Sequence, residues 1–342
     1  MKAVGIEAFG EVSLLKELEL PLPRPGRQEV RIRVRAAAFN PVDTKIRTGV
    51  FGGAGFPIVL GVDCSGVIDA VGDPLCEFSV GDEVVALAFG PACGGTYAEY
   101  TVLPTSFVAK KPSNLSFEQA ASLPLVGITV FQALIANGAL QKERSLFVIG
   151  GSGGAGSMAI ALAHTCKATP IITTAGSAES AAYLTSHLQI PAKQIILHKG
   201  LKMEEIEKRA LDLVGTSGFA TVLDTVGGEM TALALRLADI GGHVATILPQ
   251  SQIDCSRNSP IFQKSLSLHF VFSGSAAFSG KPASWTMYKS QLKALMQLIE
   301  RKELICPQIE MVGSLSAKTV QEAHRRLERG GMRGKLVMQV TS

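Results

Sequence analysis

Four apolar residues, Leu146-Phe147-Val148-Ile149, pass directly into Gly150-Gly151-Ser152-Gly153-Gly154-Ala155-Gly156, and a helix-length amphipathic segment continues from Ala155 to Lys167. Few folds place so many glycines between a strand and a helix. Gly151, Gly153 and Gly156 keep the GxGxxG spacing. In that pattern the glycines permit a tight turn, let the backbone approach a pyrophosphate and bring the helix close to the strand, with the helix N-terminus aimed at the anion. The spacing alone is a weak signal; its strand-turn-helix setting is what predicts a dinucleotide site.

The rest of the chain is organised around this point. From about residue 125, apolar strand-like runs alternate with helical segments: Leu146–Ile149, Pro170–Thr173, Ile195–Leu197, Ala220–Asp224, Val244–Ile247 and Leu266–Phe272, separated by stretches such as Glu204–Val214. Six such strands, apolar throughout as burial on both faces requires, predict an α/β fold with a doubly wound parallel sheet of the Rossmann type. Before residue 120 the pattern is different. Short strands, Val30–Ala37, Gly66–Val71, Glu83–Phe89 and Thr96–Val102, are punctuated by Gly and Pro and predict a β-rich domain. A long helix over Ser284–Arg301 and a small closing region follow the parallel sheet, and Leu235–Ile240 with His243 reads as a packed helix and the strand after it.

Composition narrows the function. With 342 residues, 46% of them apolar, the chain can bury two cores. A net charge of +4 with Lys and Arg interspersed among Asp and Glu gives no basic stripe, which argues against nucleic acid as a partner. The first residues enter a strand-like run with no apolar leader, and nowhere are about 18 apolar residues uninterrupted. A cytoplasmic protein without a membrane partner is expected. Cys64, Cys76, Cys93, Cys166, Cys255 and Cys306 form no Cys-x-x-Cys and no Cys/His cluster. They are expected to serve mostly as small buried hydrophobes.

NAD-preferring sites carry an Asp or Glu about 20 residues past the last glycine, on the ribose 2′-hydroxyl. Here that strand ends in Thr173-Thr174-Ala175-Gly176-Ser177, small and uncharged, with Glu179 a little further on. Thr174, Gly176 and Ser177 are therefore candidates for a pocket that accepts a 2′-phosphate, and NADPH is the expected cofactor.

Several motifs occur in one order: Ala38-Phe39-Asn40-Pro41-Val42-Asp43, Lys45-Ile46-Arg47-Thr48-Gly49, Gly61-Val62-Asp63-Cys64-Ser65-Gly66, Val80-Gly81-Asp82, Gly95-Thr96-Tyr97-Ala98-Glu99-Tyr100, Leu123-Pro124-Leu125-Val126-Gly127-Ile128-Thr129, Asp224-Thr225-Val226-Gly227-Gly228 and Gly334-Lys335-Leu336-Val337. In this order, over essentially the whole chain, the sequence resembles the zinc-independent quinone oxidoreductases of the medium-chain dehydrogenase/reductase superfamily. The resemblance implies a GroES-like catalytic domain from residues 1–124 and 274–342, a Rossmann NADP-binding domain over 125–273, an active site in the cleft between them, and a homodimer. Zinc-dependent relatives have a Cys where Asn40 stands and Gly-His-Glu where this chain has Gly61-Val62-Asp63. Amide and isopropyl groups cannot replace thiolate and imidazole, and no histidine spacing restores a tetrahedral site. No metal is expected.

Without a metal to polarise a carbonyl, hydride transfer favours acceptors that spread the arriving charge by conjugation, namely quinones and α,β-unsaturated carbonyls. By match to the family, Asn40 and Thr129 are the catalytic candidates. Asn40 before Pro41 could instead cap a turn, and Thr129 could start a helix. Several relatives have a Tyr after the Arg-x-Gly segment, where Phe51 stands here. Phe51, Phe56 and Phe89 could line a pocket for a flat acceptor, or could be ordinary core aromatics. Asp43 and Asp63 read as residues that fix loops. The match also points to Ser152, Gly154 and Ala155 beside the phosphates, and to Ile247, Leu248, Phe272, Ser273 and Lys335 as further cofactor contacts. Two alternatives stand beside this reading: an enoyl-thioester reductase, hinted at by Ile190-Pro191-Ala192-Lys193-Gln194-Ile195, and an NADPH-binding protein with little turnover.

Overall fold

The computed structural model describes every residue except 53, 54, 74–76, 138, 216 and 342, so Cys76 lies outside the described residues. The chain forms two compact units. One consists of Met1–Ile128, Gly274–Lys302 and Pro307–Ser342; the other consists of Thr129–Ser273 and Glu303–Cys306.

In the second unit six parallel strands lie in the spatial order Ile195–Leu197, Ile171–Ala175, Leu146–Ile149, Phe219–Asp224, Ala238–Thr246 and Ser267–Phe270. The chain runs outward from Leu146–Ile149 in one direction and then returns to its other side, so the strand order reverses beside it. In doubly wound sheets ligands bind at that switch point, outside the carboxyl ends of the strands. All four residues of Leu146–Ile149 are buried, because helices cover both faces. Phe147 and Phe219 pack on each other with Ile149, Val222, Leu233 and Val244 in one apolar cluster.

The first unit is mainly antiparallel. Glu29–Ala38 alternates half-buried and buried residues over most of its length and pairs with Asp63–Val71, Tyr100–Pro104 and the C-terminal strand Lys335–Gln339. The two ends of the chain therefore share one sheet. A smaller sheet, with Lys2–Ile6 at its centre, completes the unit.

Several local readings shift. Thr96 and Tyr97 do not begin a strand: their N–H groups donate to Gly61 and Leu60 in a loop, and the strand occupies Tyr100–Pro104. The helix Glu229–Leu237 ends at Leu237, and the next strand begins at Ala238, earlier than Val244. The closing region contains a strand, Ile309–Ser314, and an amphipathic helix, Ala317–Arg329. Of the described cysteines only Cys64 is fully buried, whereas Cys93, Cys166 and Cys306 are half-buried and Cys255 is exposed, which corrects the expectation that most would be core residues.

Candidate nucleotide loop and active site

The glycine loop has the geometry its spacing predicts. Gly153 is the N-cap of the twelve-residue helix Gly154–Thr165. A Cβ on Gly156 would lie 2.2 Å from the Gly150 carbonyl oxygen and 2.7 Å from Gly151 Cα, so only glycine lets this helix sit on the turn. Gly153 differs: a Cβ there would meet nothing nearer than Gly150 O at 3.6 Å, an ordinary contact, at a φ of −72°. The fold does not require a glycine at that position. Gly153, Gly154 and Ala155 are half-buried, whereas Gly151, Ser152 and Gly156 are buried. The accessible part of the loop is thus the helix N-terminus, with its unpaired N–H groups and positive dipole end.

Side chains around the loop fix its shape. The Gly150 N–H donates to Thr174 Oγ1 at 2.9 Å, and Thr173 Oγ1 donates to Val148 O at 2.7 Å. Thr174 is fully buried and supports the turn from below. On the other side Asp224 Oδ1 accepts from the N–H groups of Val226 and Gly227, both at 2.9 Å, while Oδ2 accepts from Thr231 Oγ1 at 2.6 Å. Thr225 Oγ1, in the loop so formed, donates to Ile149 O at 2.7 Å. The Asp-Thr-Val-Gly-Gly motif is therefore a brace for the glycine turn, a role its sequence alone does not reveal.

At the end of Ile171–Ala175, Gly176 is exposed and Ser177 caps the helix Ala178–Ser186 by accepting from Ser180 N–H at 3.2 Å. The neighbouring strand brings a residue that sequence reasoning missed. His198 donates its backbone N–H to Ala175 O at 3.1 Å, and its ring Cε1 lies 3.6 Å from where a Gly176 Cβ would be. Its Nδ1 is buried without a protein partner, and burial lowers its pKa. Only the register of two parallel strands brings positions 176 and 198 together.

In the other unit, Asn40 is the N-cap of Pro41–Arg47, and its N–H donates to Asp43 Oδ2 at 2.7 Å. The turn-capping alternative for Asn40 is thus realised through its backbone. The amide faces elsewhere: Nδ2 donates to Asp63 Oδ2 at 2.8 Å, and Oδ1 accepts from Lys335 Nζ. Lys335 Nζ also lies 3.4 Å from Asp63 Oδ2. Asp63 Oδ1 accepts from the Leu125 backbone N–H at 2.8 Å. Tyr97 Oη donates to Asp43 Oδ2 at 2.7 Å. All of these side chains are buried. Burial pushes Asp43 up to about 7 and raises Asp63, and it lowers Lys335 against the pull of Asp63.

Thr129 is 8% exposed and sits near the end of Pro124–Val130, immediately before the π-helical segment Phe131–Ala136. It does not start that helix, which begins at Pro124. Phe51 and Phe89 meet edge to face at 5.7 Å, and both pack on Phe278, at 5.7 and 5.4 Å. Phe56 is not in this group: it packs on Phe9 at 5.0 Å and is 46% exposed. Phe278 was invisible to motif reading because it lies on a short helix, Ser275–Phe278, far along the chain.

Two domain families match the sequence: the alcohol dehydrogenase GroES-like domain over residues 26–113 and the zinc-binding dehydrogenase domain over 192–338. A zinc-type alcohol dehydrogenase-like protein of Staphylococcus epidermidis is 30% identical, covering 99% of this chain and 99% of its own. The chain belongs to the medium-chain dehydrogenase/reductase superfamily of oxidoreductases. Human quinone oxidoreductase is 29% identical over 99% of this chain and 97% of its own. The quinone oxidoreductase of Pseudomonas syringae pv. Tomato DC3000 superposes with a TM-score of 0.84 at 26% identity, covering 99% of each chain.

Within this superfamily the positions of the expected zinc ligands carry the buried amide of Asn40 and the buried isopropyl group of Val62. Among the described residues no group of three or more His, Cys, Asp or Glu side chains is arranged to hold a metal ion. Lys335 commits its ammonium to Asn40 and Asp63 and is 4% exposed, which places it in the buried cluster and not in an open anion site. After the fifth and sixth strands, Ile247 and Leu248 are half-buried, Phe272 is 42% exposed and Ser273 is buried. No described helix is long and apolar enough to cross a membrane.

Proposed function

We propose that this superfamily member reduces quinones or α,β-unsaturated carbonyls with NADPH and without zinc. The observation that carries the reading is the Asn40–Asp63–Lys335 cluster: the amide of Asn40, a position where zinc-dependent relatives keep a metal ligand, is held between a carboxylate and an ammonium that neutralise each other. Such a centre cannot polarise an isolated carbonyl as a metal ion does, so the acceptor itself must delocalise the charge.

When bound, NADPH supplies the hydride. The chain's own residues do the rest. Gly154 and Ala155 offer helix N-terminal N–H groups to the pyrophosphate, with Gly151, Ser152, Gly153 and Gly156 shaping the turn. Gly176, Ser177 and His198 border an uncharged space for the 2′-phosphate, and Thr174 holds the loop in register. Ile247, Leu248, Phe272 and Ser273 flank the nicotinamide. Thr129 donates a hydrogen bond to the acceptor oxygen as charge develops on it. Phe51, Phe89 and Phe278 present aromatic faces to a flat acceptor, and water provides the proton. Asn40 and Lys335, whose polar atoms are engaged with each other and with Asp63, act by holding the site.

The same reading takes the protein as a cytoplasmic homodimer. Ser267–Phe270 is an edge strand, and exposed Phe270, with Ile240 76% exposed, suits pairing with a second copy. The test is oxidation of NADPH and of NADH by chelator-treated protein with 9,10-phenanthrenequinone, a simple enone and an enoyl-CoA. NADPH-selective turnover of quinone or enone that survives chelation is expected. Activity on enoyl-CoA alone would make the protein a thioester reductase, and tight NADPH binding without turnover would make it a binding protein.

A further inference from the structure

Asp63 is fully buried, and its two oxygens face different parts of the first unit. Oδ2 receives the Asn40 amide at 2.8 Å and lies 3.4 Å from the Lys335 ammonium, which tie in positions 23 and 272 residues away. Among the described residues Oδ1 receives the Leu125 N–H, at 2.8 Å. Leu125 is the second residue of Pro124–Val130, where backbone N–H groups have no partner within the helix. The bond is therefore a charge-assisted cap, among the stronger hydrogen bonds a protein makes. Thr129 follows four residues later, one helical turn along the same face. Its backbone C=O takes the Thr96 hydroxyl at 3.1 Å and its strand pairing is made by the main chain, so the carboxylate itself serves Asn40, the buried Lys335 ammonium and the Leu125 N–H.

We propose that Asp63 is the positioning residue for Thr129, its Oδ2 anchored by Asn40 and Lys335 and its Oδ1 fixing the turn of helix on which Thr129 stands. The proposal rests on the reading above, in which the Thr129 hydroxyl meets the acceptor oxygen. It gives the Asn40–Lys335 cluster a task in a chain whose metal positions are lost. A carboxylate is needed because both oxygens accept. In Asp63→Asn one of the two becomes an NH2 group facing a donor, so one arm must let go.

The experiment is a double-mutant cycle between Asp63→Asn and Thr129→Val, read as kcat with phenanthrenequinone, as NADPH Kd by fluorescence titration and as thermal midpoint. Asp63→Asn should lower kcat about tenfold or more, the scale of one charge-assisted hydrogen bond. NADPH Kd should stay within about twofold. In the Thr129→Val background the same substitution should change kcat little, because its effect has already been removed. Asp63→Asn combined with Lys335→Met, which avoids leaving a buried cation beside an amide, should behave in the same way if the single variant folds poorly. Unchanged kcat in both Asp63 variants would overturn the proposal. So would equal loss of kcat and NADPH binding, or effects of Asp63 and Thr129 that multiply independently. A wild-type protein that binds NADPH and turns over no acceptor would overturn the parent reading instead, and this proposal with it.

Discussion

Gly153 and Gly156 belong to one motif, yet the structure gives them opposite reasons for being glycine, and replacing each by alanine separates folding from binding. At position 156 the new methyl would lie 2.2 Å from a carbonyl oxygen held by the strand. The helix must move by more than about 1 Å, an overpacking cost of about 1–3 kcal/mol, against which the better helix propensity of alanine returns up to about 1. At position 153 the methyl has room at 3.6 Å and a φ any residue adopts. The fold loses only the small difference between Gly and Ala as N-caps, within about 1 kcal/mol. That methyl would instead occupy the approach of the pyrophosphate. Gly153→Ala should therefore melt within a degree or two of wild type while weakening NADPH by tenfold or more, about 1.4 kcal/mol. Gly156→Ala should lose both stability and binding. Thermal melts and NADPH fluorescence titrations decide it. A Gly153→Ala protein that binds NADPH like wild type would refute the assignment of that face to the nucleotide.

Three further outcomes follow from the geometry. Asp43 ionises near 3.8 when unfolded and about 7 when folded, so its contribution to stability is full below about pH 4 and is lost as pH rises through about 7, on the order of 4 kcal/mol at 1.4 per unit; urea melts of wild type and Asp43→Asn should diverge in favour of the variant across that window, and a pH-independent difference would refute the burial argument. His198→Ala should narrow the NADPH-over-NADH affinity ratio by about tenfold, the scale of one hydrogen bond to a charged phosphate, and an unchanged ratio in paired titrations would remove His198 from the site. Phe278→Leu should raise KM for phenanthrenequinone by about three- to tenfold, corresponding to the loss of aromatic stacking, with little effect on a small enone; equal effects on both would mean the ring has no role in stacking.

Legibility in the sequence tracked how local each determinant is. The strand Leu146–Ile149, the glycine turn and the following helix were readable because the apolar run, the turn and the cap are adjacent in the chain. The strand Ile195–Leu197 was readable for the same reason. Helix Ala317–Arg329 is polar over most of its length and buries only Val320, Ala323 and His324, so its apolar face is a thin signal in the sequence. Phe51, Phe56 and Phe89 are alike as candidate pocket aromatics in the sequence, yet Phe51 packs on Phe89 and Phe56 on Phe9, a difference of tertiary packing that residue type does not encode. His198 and Phe278 lie 22 and 189 residues from the partners that give them meaning, Gly176 and Phe89, and no periodicity encodes that.

Lys335 and Asn40 illustrate the same limit where it bears on chemistry. Each is a motif residue, one expected as a cofactor contact and the other as a catalytic group, and the two do belong together. What a motif cannot give is direction. Strand Lys335–Gln339 pairs antiparallel with Glu29–Ala38, which sets Lys335 beside the turn at Asn40. Pairing of Glu29–Ala38 with Asp63–Val71 places Ala38 opposite Asp63. Three strands thus deliver an ammonium, an amide and a carboxylate to one buried point. An unpaired Lys or Asp there would be prohibitively desolvated, so each is tolerable only because the others are present. The cluster is therefore a property of sheet register: a slip of one residue in either pairing would turn these side chains to the opposite face and leave the buried charges unmatched.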